Sequence, residues 1–358
     1  MKILLALPVE SRTLTHAARM VCKELVLAVS DVSAKYRFEV LAPYDLAESF
    51  EGINISTLPK TASGWQRLHH EQILLPRIAQ NLGADLLLMP FEAGPLGTRV
   101  PLVLFEAIDG GISGSGIVGH LLQATRKAGA EGAIRRVMYS DMIEPVPAAK
   151  NISVIDPWVH TNFRALSKRE DRQIAEHYGL PGHYVLAHGV SPADIRLLLA
   201  SWTWVDGSVG DTVALAAIVA DGLEKEVWEV ELQRLELGHS VRLVAGVRFN
   251  DLPSLYRRAE ALLQGGLGLE HQIMRWAMSC GIPVIGFEAP TASRVLGPAG
   301  YLVAPGDTRA LGAACLTVIV ESDIRGRLRR EGLSRASIFH SSESPVEVLN
   351  QIAGNLSG

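Results

Sequence analysis

Short apolar runs and longer amphipathic stretches take turns along the whole chain. In the first half, Lys2 to Leu5, Arg37 to Leu41, Leu86 to Leu88, Leu102 to Phe105 and Arg136 to Tyr139 predict strands, with helices between them starting near Ser11 and Trp65. The segment WQRLHHEQILLPRIAQNLGADLLLMP is the clearest. Leu68, Ile73, Leu74, Ile78 and Leu82 form a stripe at helical spacing, Gly83 ends the helix, and an apolar strand follows.

A second alternating series follows Val154-Ile155-Asp156-Pro157. Its predicted strands are Tyr184 to Ala187, Val213 to Val219, Val241 to Val244 and Pro283 to Gly286, with Leu302-Val303 last. Asp251 to Leu333 reads as a helix, a glycine-rich turn, a helix ending at Cys280-Gly281, a short strand, and then a loop, strand and helix. Strands alternating with helices argue for an α/β protein with parallel sheets covered on both faces.

Length turns this series into two domains, because 358 residues exceed the usual size of one core. The apolar share of 48% and charged share of 20% are those of an ordinary globular protein. A net charge of −4 gives no general pull toward nucleic acid or anionic lipid. Cys22, Cys280 and Cys315 lie far apart, without metal-ligand spacing, and read as buried thiols in a reducing compartment, so cytoplasm is the expected location. The start MKILLALPVESR suits a buried strand better than a secretory segment, and no window is long and apolar enough for a transmembrane segment.

Several pieces together resemble the nucleotide-sugar-binding half of the family 4 glycosyltransferases. They are Leu252-Pro253-Ser254-Leu255-Tyr256, Ala277-Met278-Ser279-Cys280-Gly281-Ile282-Pro283-Val284-Ile285, Gly300-Tyr301-Leu302-Val303 and Pro305-Gly306-Asp307. The resemblance implies two Rossmann-like lobes facing a cleft, the GT-B fold. The acceptor-side lobe would span residues 1–150 and the donor-side lobe 151–340, with 341–358 a helix crossing back to the first lobe. NISVIDPWVHTNFRAL resembles the family's hinge.

The same resemblance shows which groups are missing. Transfer from a nucleoside-diphosphate sugar leaves a dianion that needs positive charge or aimed amides. The family places an Arg and a Lys after the first strand of the donor lobe. Here that stretch reads Gly189-Val190-Ser191-Pro192-Ala193-Asp194-Ile195-Arg196, with neither base in place and Arg196 about a turn away. The family's two glutamates, eight positions apart, fall on Gly268 and Trp276; Glu270 is the nearest carboxylate, and Trp276 reads as a residue packed on a helix face. The first lobe has Leu7-Pro8-Val9-Glu10 in place of a glycine turn and Glu106-Ala107-Ile108-Asp109 in place of a His-Asp pair, with His16 and His120 as substitutes.

Gly114-Ser115-Gly116-Ile117-Val118-Gly119 matches GxGxxG and opens a helix, with Asp141 about 20 residues beyond. Its first glycine stands too far from the preceding strand for the tight turn that a dinucleotide needs. The stretch reads instead as a cleft loop made of Gly114, Gly116, Gly119 and His120. Helix Val227 to Leu237 reads as a solvated acidic face, and Arg325 to Arg335 as exposed charge.

The expectation is therefore a glycosyltransferase fold with its catalytic set largely gone, acting as a binding or scaffolding subunit, with an active glycosyltransferase as partner. The alternative is a working retaining enzyme moving a hexose to a glycan, with Glu270 as its candidate catalytic group. In either case a nucleoside-diphosphate sugar is the implied ligand. Its donor-binding residues would be Gly189, Arg196, Arg248, Gly266, Gly268 and Glu270, with no metal and no cofactor.

Overall fold

A computed structural model describes residues 1–7, 16–30, 36–43, 55–58, 64–91, 94–108, 117–140, 151–265, 271–340, 347, 349–352 and 354. The chain divides into two compact units. One draws on residues 1–14, 21–157 and 342–358, the other on 15–20 and 158–341.

The first unit carries a seven-stranded sheet in the order β3-β2-β1-β4-β5-β6-β7, parallel throughout. Its strands are β1 (Lys2–Ala6), β2 (Arg37–Pro43), β3 (Ile55–Leu58), β4 (Leu86–Phe91), β5 (Leu102–Ile108), β6 (Arg135–Tyr139) and β7 (Ile152–Ile155). Ile3, Leu4, Leu5, Leu86, Leu87 and Leu88 are buried completely, as central parallel strands with two covered faces require. Strands β3 and β7 were not predicted from the sequence. ISVI, expected as part of a hinge, pairs with β6 as the sheet's edge.

The helix predicted from Trp65 runs Gly64–Asn81 and contains a π-helical stretch, His70–Leu74. Pro76 accounts for it: proline has no N–H for the carbonyl four residues back and its ring crowds that carbonyl, which one widened turn relieves. At the chain's far end, Tyr36 Oη donates to Asn350 Oδ1 at 2.7 Å, and Leu349 and Ile352 are buried.

The second unit carries a six-stranded parallel sheet in the order β10-β9-β8-β11-β12-β13. These are β8 (Tyr184–His188), β9 (Ala214–Ile218), β10 (Val241–Val244), β11 (Leu262–Gln264), β12 (Val284–Phe287) and β13 (Gly300–Val303). Strand β11 stands where only a glycine-rich turn was expected between two helices. Trp202, Trp228 and Trp276 are among its largest fully buried side chains.

Charge also helps hold this unit together. Asp171, almost fully buried, takes Arg257 Nε and Nη2 at 2.8 and 2.6 Å, joining helix Asp171–His177 to helix Leu252–Arg258. The arginines of helix Ser322–Phe339 are more than exposed charge. Arg325 donates to Val318 O and Ile319 O, and Arg335 to Arg294 O and Val295 O, so each meets carbonyls at the end of another helix. The acidic helix, Leu223–Leu235, exposes Glu226 and Glu229 but buries Glu224 and Glu231. All three cysteines are buried and free, and burial pushes the Cys315 thiol up to about 12. No helix among the described residues is long and apolar enough to cross a membrane.

Candidate functional site

Open parallel sheets bind ligands at the carboxyl ends of their strands, where the strand order reverses. In the first sheet that point lies between β1 and β4, and the chain leaving both strands is outside the described residues. In the second it lies between β8 and β11, and most of it can be built from the residues up.

Strands β8 and β11 share the ladder pair Leu186 and Leu262, then part. Two residues on, a side chain takes over from the ladder: Gln264 Nε2 donates to His188 O at 2.8 Å. After β8, Gly189 turns the chain with φ of +73°, a conformation that favours glycine, and helix Ile195–Val209 begins past Asp194. After β11, Gly265 passes so close to that helix that a Cβ on it would stand 2.2 Å from Leu198 Cβ.

Behind this edge lies a chain of buried polar groups. Tyr256 Oη meets His188 Nδ1 at 2.7 Å, His188 Nε2 meets His16 Nδ1 at 3.0 Å, and His16 Nε2 meets Val247 O at 2.9 Å. A carbonyl only accepts, so His16 Nε2 carries the proton and Nδ1 is the acceptor. His188 Nε2 must then donate, and the tyrosine hydroxyl donates to His188 Nδ1. Both imidazoles are neutral in this arrangement. Burial agrees, lowering His16 to about 4 and holding His188 well below the usual imidazole range. Glu224 Oε2 accepts the amides of His16 and Ala220 at 2.9 and 2.8 Å, and burial raises this carboxyl to about 7. His16 is thus a structural hydrogen-bonded histidine, and the exposed His120 has no part in this cluster.

The residues singled out from the sequence are placed as follows. Val190 is buried, and Ser191 Oγ donates to Asp194 Oδ2 at 2.6 Å, so a carboxylate stands at the start of helix Ile195–Val209. Arg196 Nε lies 2.6 Å from Glu231 Oε1, with Arg234 on the other oxygen, and the two guanidiniums hold Glu231 below the usual carboxylate range. Arg248 Nε pairs with Asp251 Oδ2 at 2.8 Å, and Tyr178 Oη donates to the same oxygen at 2.7 Å. Trp276 is fully buried, stacked on Phe163 with centroids 4.5 Å apart and planes 8° from parallel. Gly119 lies in helix Ile117–Glu131. Gly114, Gly116, Gly266, Gly268 and Glu270 fall outside the described residues.

One group at this edge went unread. Helix His271–Cys280 follows β11, and its His271 and Arg275, one turn apart, are both buried. Arg275 Nη1 donates to Gln272 Oε1 at 2.8 Å, while Gln272 Nε2 donates to Trp158 O at 2.8 Å. Burial first, and then the positive charges of Arg275 and Arg294, lower His271 to about 3.

Comparison with known proteins fits this architecture. Residues 191–321 match the family described as Glycosyl transferases group 1. A search of solved structures returns whole-chain matches. Sucrose-phosphate synthase from Thermosynechococcus elongatus is 16% identical, covers 100% of this chain and 98% of its own, and has a TM-score of 0.69. Anabaena HepE, solved in complex with UDP and glucose, is 18% identical, covers 99% of each chain, and has a TM-score of 0.71.

The fold is that of the GT-B glycosyltransferases.

Among curated proteins, the O-antigen chain mannosyltransferase B of Escherichia coli is 29% identical over 114 residues, 31% of this chain. That alignment spans 29% of the mannosyltransferase, well short of two thirds of its length. Identities this low carry the fold, and function has to be argued from the site.

Proposed function

We propose that this protein is a glycosyltransferase-fold binding or scaffolding subunit that does not itself transfer sugar. The observation that carries the reading is the carboxyl edge of β8. A departing nucleoside diphosphate needs cations or aimed donors where its charge develops. There the chain offers buried Val190, a carboxylate on Asp194, and two neutral histidines bonded to each other. The two arginines expected to serve, Arg196 and Arg248, are paired with Glu231 and Asp251. Trp276, which would have to accept ribose hydroxyls, is stacked inside the core and has no acceptor to offer.

The ligand class follows from the fold and from HepE, whose structure holds UDP and glucose. A nucleoside-diphosphate sugar is the small molecule to try, and an active glycosyltransferase is the partner such a subunit would serve. The test pairs binding with turnover across uridine, guanosine and adenosine diphosphate sugars. Under this reading no donor is consumed, with or without glycan acceptors, even where the melting midpoint rises with ligand concentration. Consumption of any one of them would replace it with the active retaining enzyme.

A further inference from the structure

We propose that helix Thr308–Val320 packs antiparallel against the same helix of a second copy of this chain, across a two-fold axis between Ala313 and Leu316. The inference is independent of whether the fold transfers sugar. It starts from a surface helix that lacks a polar face.

The helix lies against β12, β13 and helix Ile195–Val209, and Leu311, Ala314, Cys315 and Val318 are its buried side. Arg309, Ala313, Leu316 and Val320 recur at helical spacing on the opposite side, Leu316 half-buried and the other three exposed, Val320 by 68%. Of the thirteen residues only Arg309 is charged. A surface helix ordinarily turns charged and polar groups to water, and one that is apolar on every side is ordinarily covered. Helix Ile195–Val209 extends this face with Trp204, which is 48% exposed. The two helices touch there, since a Cβ on Gly312 would stand 2.7 Å from Trp204 Cβ. Arg309 Cζ lies 5.3 Å from the centroid of the Trp204 ring, and tryptophan and arginine are the residues that dominate the centres of interfaces.

Charge names the occupant. Asp307 is taken up in capping, accepting Ala310 N at 2.9 Å. The first turn then carries Arg309 and the carboxyl cap is Glu321, both exposed and each the wrong sign for the helix's own dipole. Among the described residues neither has an ion-pair partner. A second copy turned end for end sets Arg309 beside the partner's Glu321 at the negative end of the partner's dipole, and Glu321 beside the partner's Arg309 at the positive end. The same reversal sets Leu316 over the partner's Ala313, large against small, because positions 309 and 320 share their midpoint with 313 and 316. Each contact occurs twice, as a two-fold interface requires. A parallel copy would bring like charges together, and a surface of one sign would meet only one of the two.

The test is sedimentation equilibrium of the full chain across a range of concentrations. The wild type is expected to pass from one chain to two as concentration rises. Ala313→Arg, which sets two guanidiniums near the axis, is expected to keep a single-chain mass throughout, with a thermal melt like that of wild type because Ala313 is exposed. Arg309→Glu and Glu321→Arg are each expected to weaken association at least about fivefold, since the contact is present twice. The chain carrying both is expected to regain it, because the pair is then restored with its signs exchanged. That recovery keeps the test open should A313R fail to fold. Val230→Glu, at an exposed position of helix Leu223–Leu235, is expected to leave association unchanged. A wild-type chain of single mass even at about 100 μM leaves the face to some other cover and overturns the proposal. Association that survives A313R, or that R309E/E321R does not recover, overturns it as well.

Discussion

Two helices that follow strands β8 and β11 of the second sheet differ in the groups their described residues bury. Helix Ile195–Val209 opens beside its own carboxylate, Asp194 held by Ser191, and the groups behind it are neutral and bonded to one another. Helix His271–Cys280, described from His271 onward, carries in its first described turn a buried imidazole lacking a partner at Nδ1, whose protonation the charges of Arg275 and Arg294 disfavour. A helix dipole already met by a carboxylate, as at Asp194, is a poor seat for an incoming anion. The described groups that follow β8, where a diphosphate clamp was expected, include no free cation.

The contrast can be broken most forcefully at Trp276, which closes the neutral side. Trp276→Ala is expected to cost about 3–5 kcal/mol in chemical denaturation, the range for a buried tryptophan. A stable W276A chain would mean the indole is there for a ligand and not for the core.

Next comes the neutrality of that side. Glu224, ordinarily near 4.5 and raised to about 7 by burial, makes the fold less stable as pH climbs from about 5 to 8, because the folded chain must then ionise a buried carboxyl. His16 and His188 act in the opposite sense, destabilising as pH falls below their unfolded value near 6.5. The informative quantity is therefore the difference in unfolding free energy between Glu224→Gln and wild type. It should move in favour of the variant by up to roughly 3 kcal/mol from pH 5 to pH 8. A flat difference would show Glu224 charged throughout, and the neutral side would not be neutral.

A smaller effect is expected at the point where β11 and helix Ile195–Val209 nearly touch. Gly265→Ala pushes a Cβ to 2.2 Å from Leu198 Cβ and 2.6 Å from Leu198 Cα, and overpacking of this kind costs about 1–3 kcal/mol. The smallest belongs to Asp194. Asp194→Asn removes a carboxylate from a helix start and should lower stability by about 0.3–1 kcal/mol, by thermal melts at low salt. A gain in stability instead would mean that this end already faces excess negative charge.

Much of the fold could be read from pattern alone, since β1, β2, β4 to β6, β8 to β10, β12 and β13 are short, mainly apolar runs set between amphipathic stretches. The strands that escaped, β3, β7 and β11, are three or four residues long and owe their state to a neighbour's ladder, which no local pattern carries. The π-helical stretch at His70–Leu74 keeps the apolar stripe of a helix and hides in it.

At the site, the missing clamp was legible because it is a matter of which residue follows a strand. The His16–His188 pair was not, being 172 positions apart in sequence. Arg275 was passed over because an arginine at helical spacing ordinarily marks a solvated face, and here tertiary packing buries it. The same override buried Glu231 between two arginines on a helix expected to be solvated.

The most direct trial of the central claim is to measure nucleoside-diphosphate release from uridine, guanosine and adenosine diphosphate sugars by the purified chain, with mixed glycan acceptors present. The account predicts release no faster than in protein-free controls for every donor. Release that climbs with protein concentration and collapses in R275Q or R294Q would contradict it, and would make the cations beside His271 part of a working transferase.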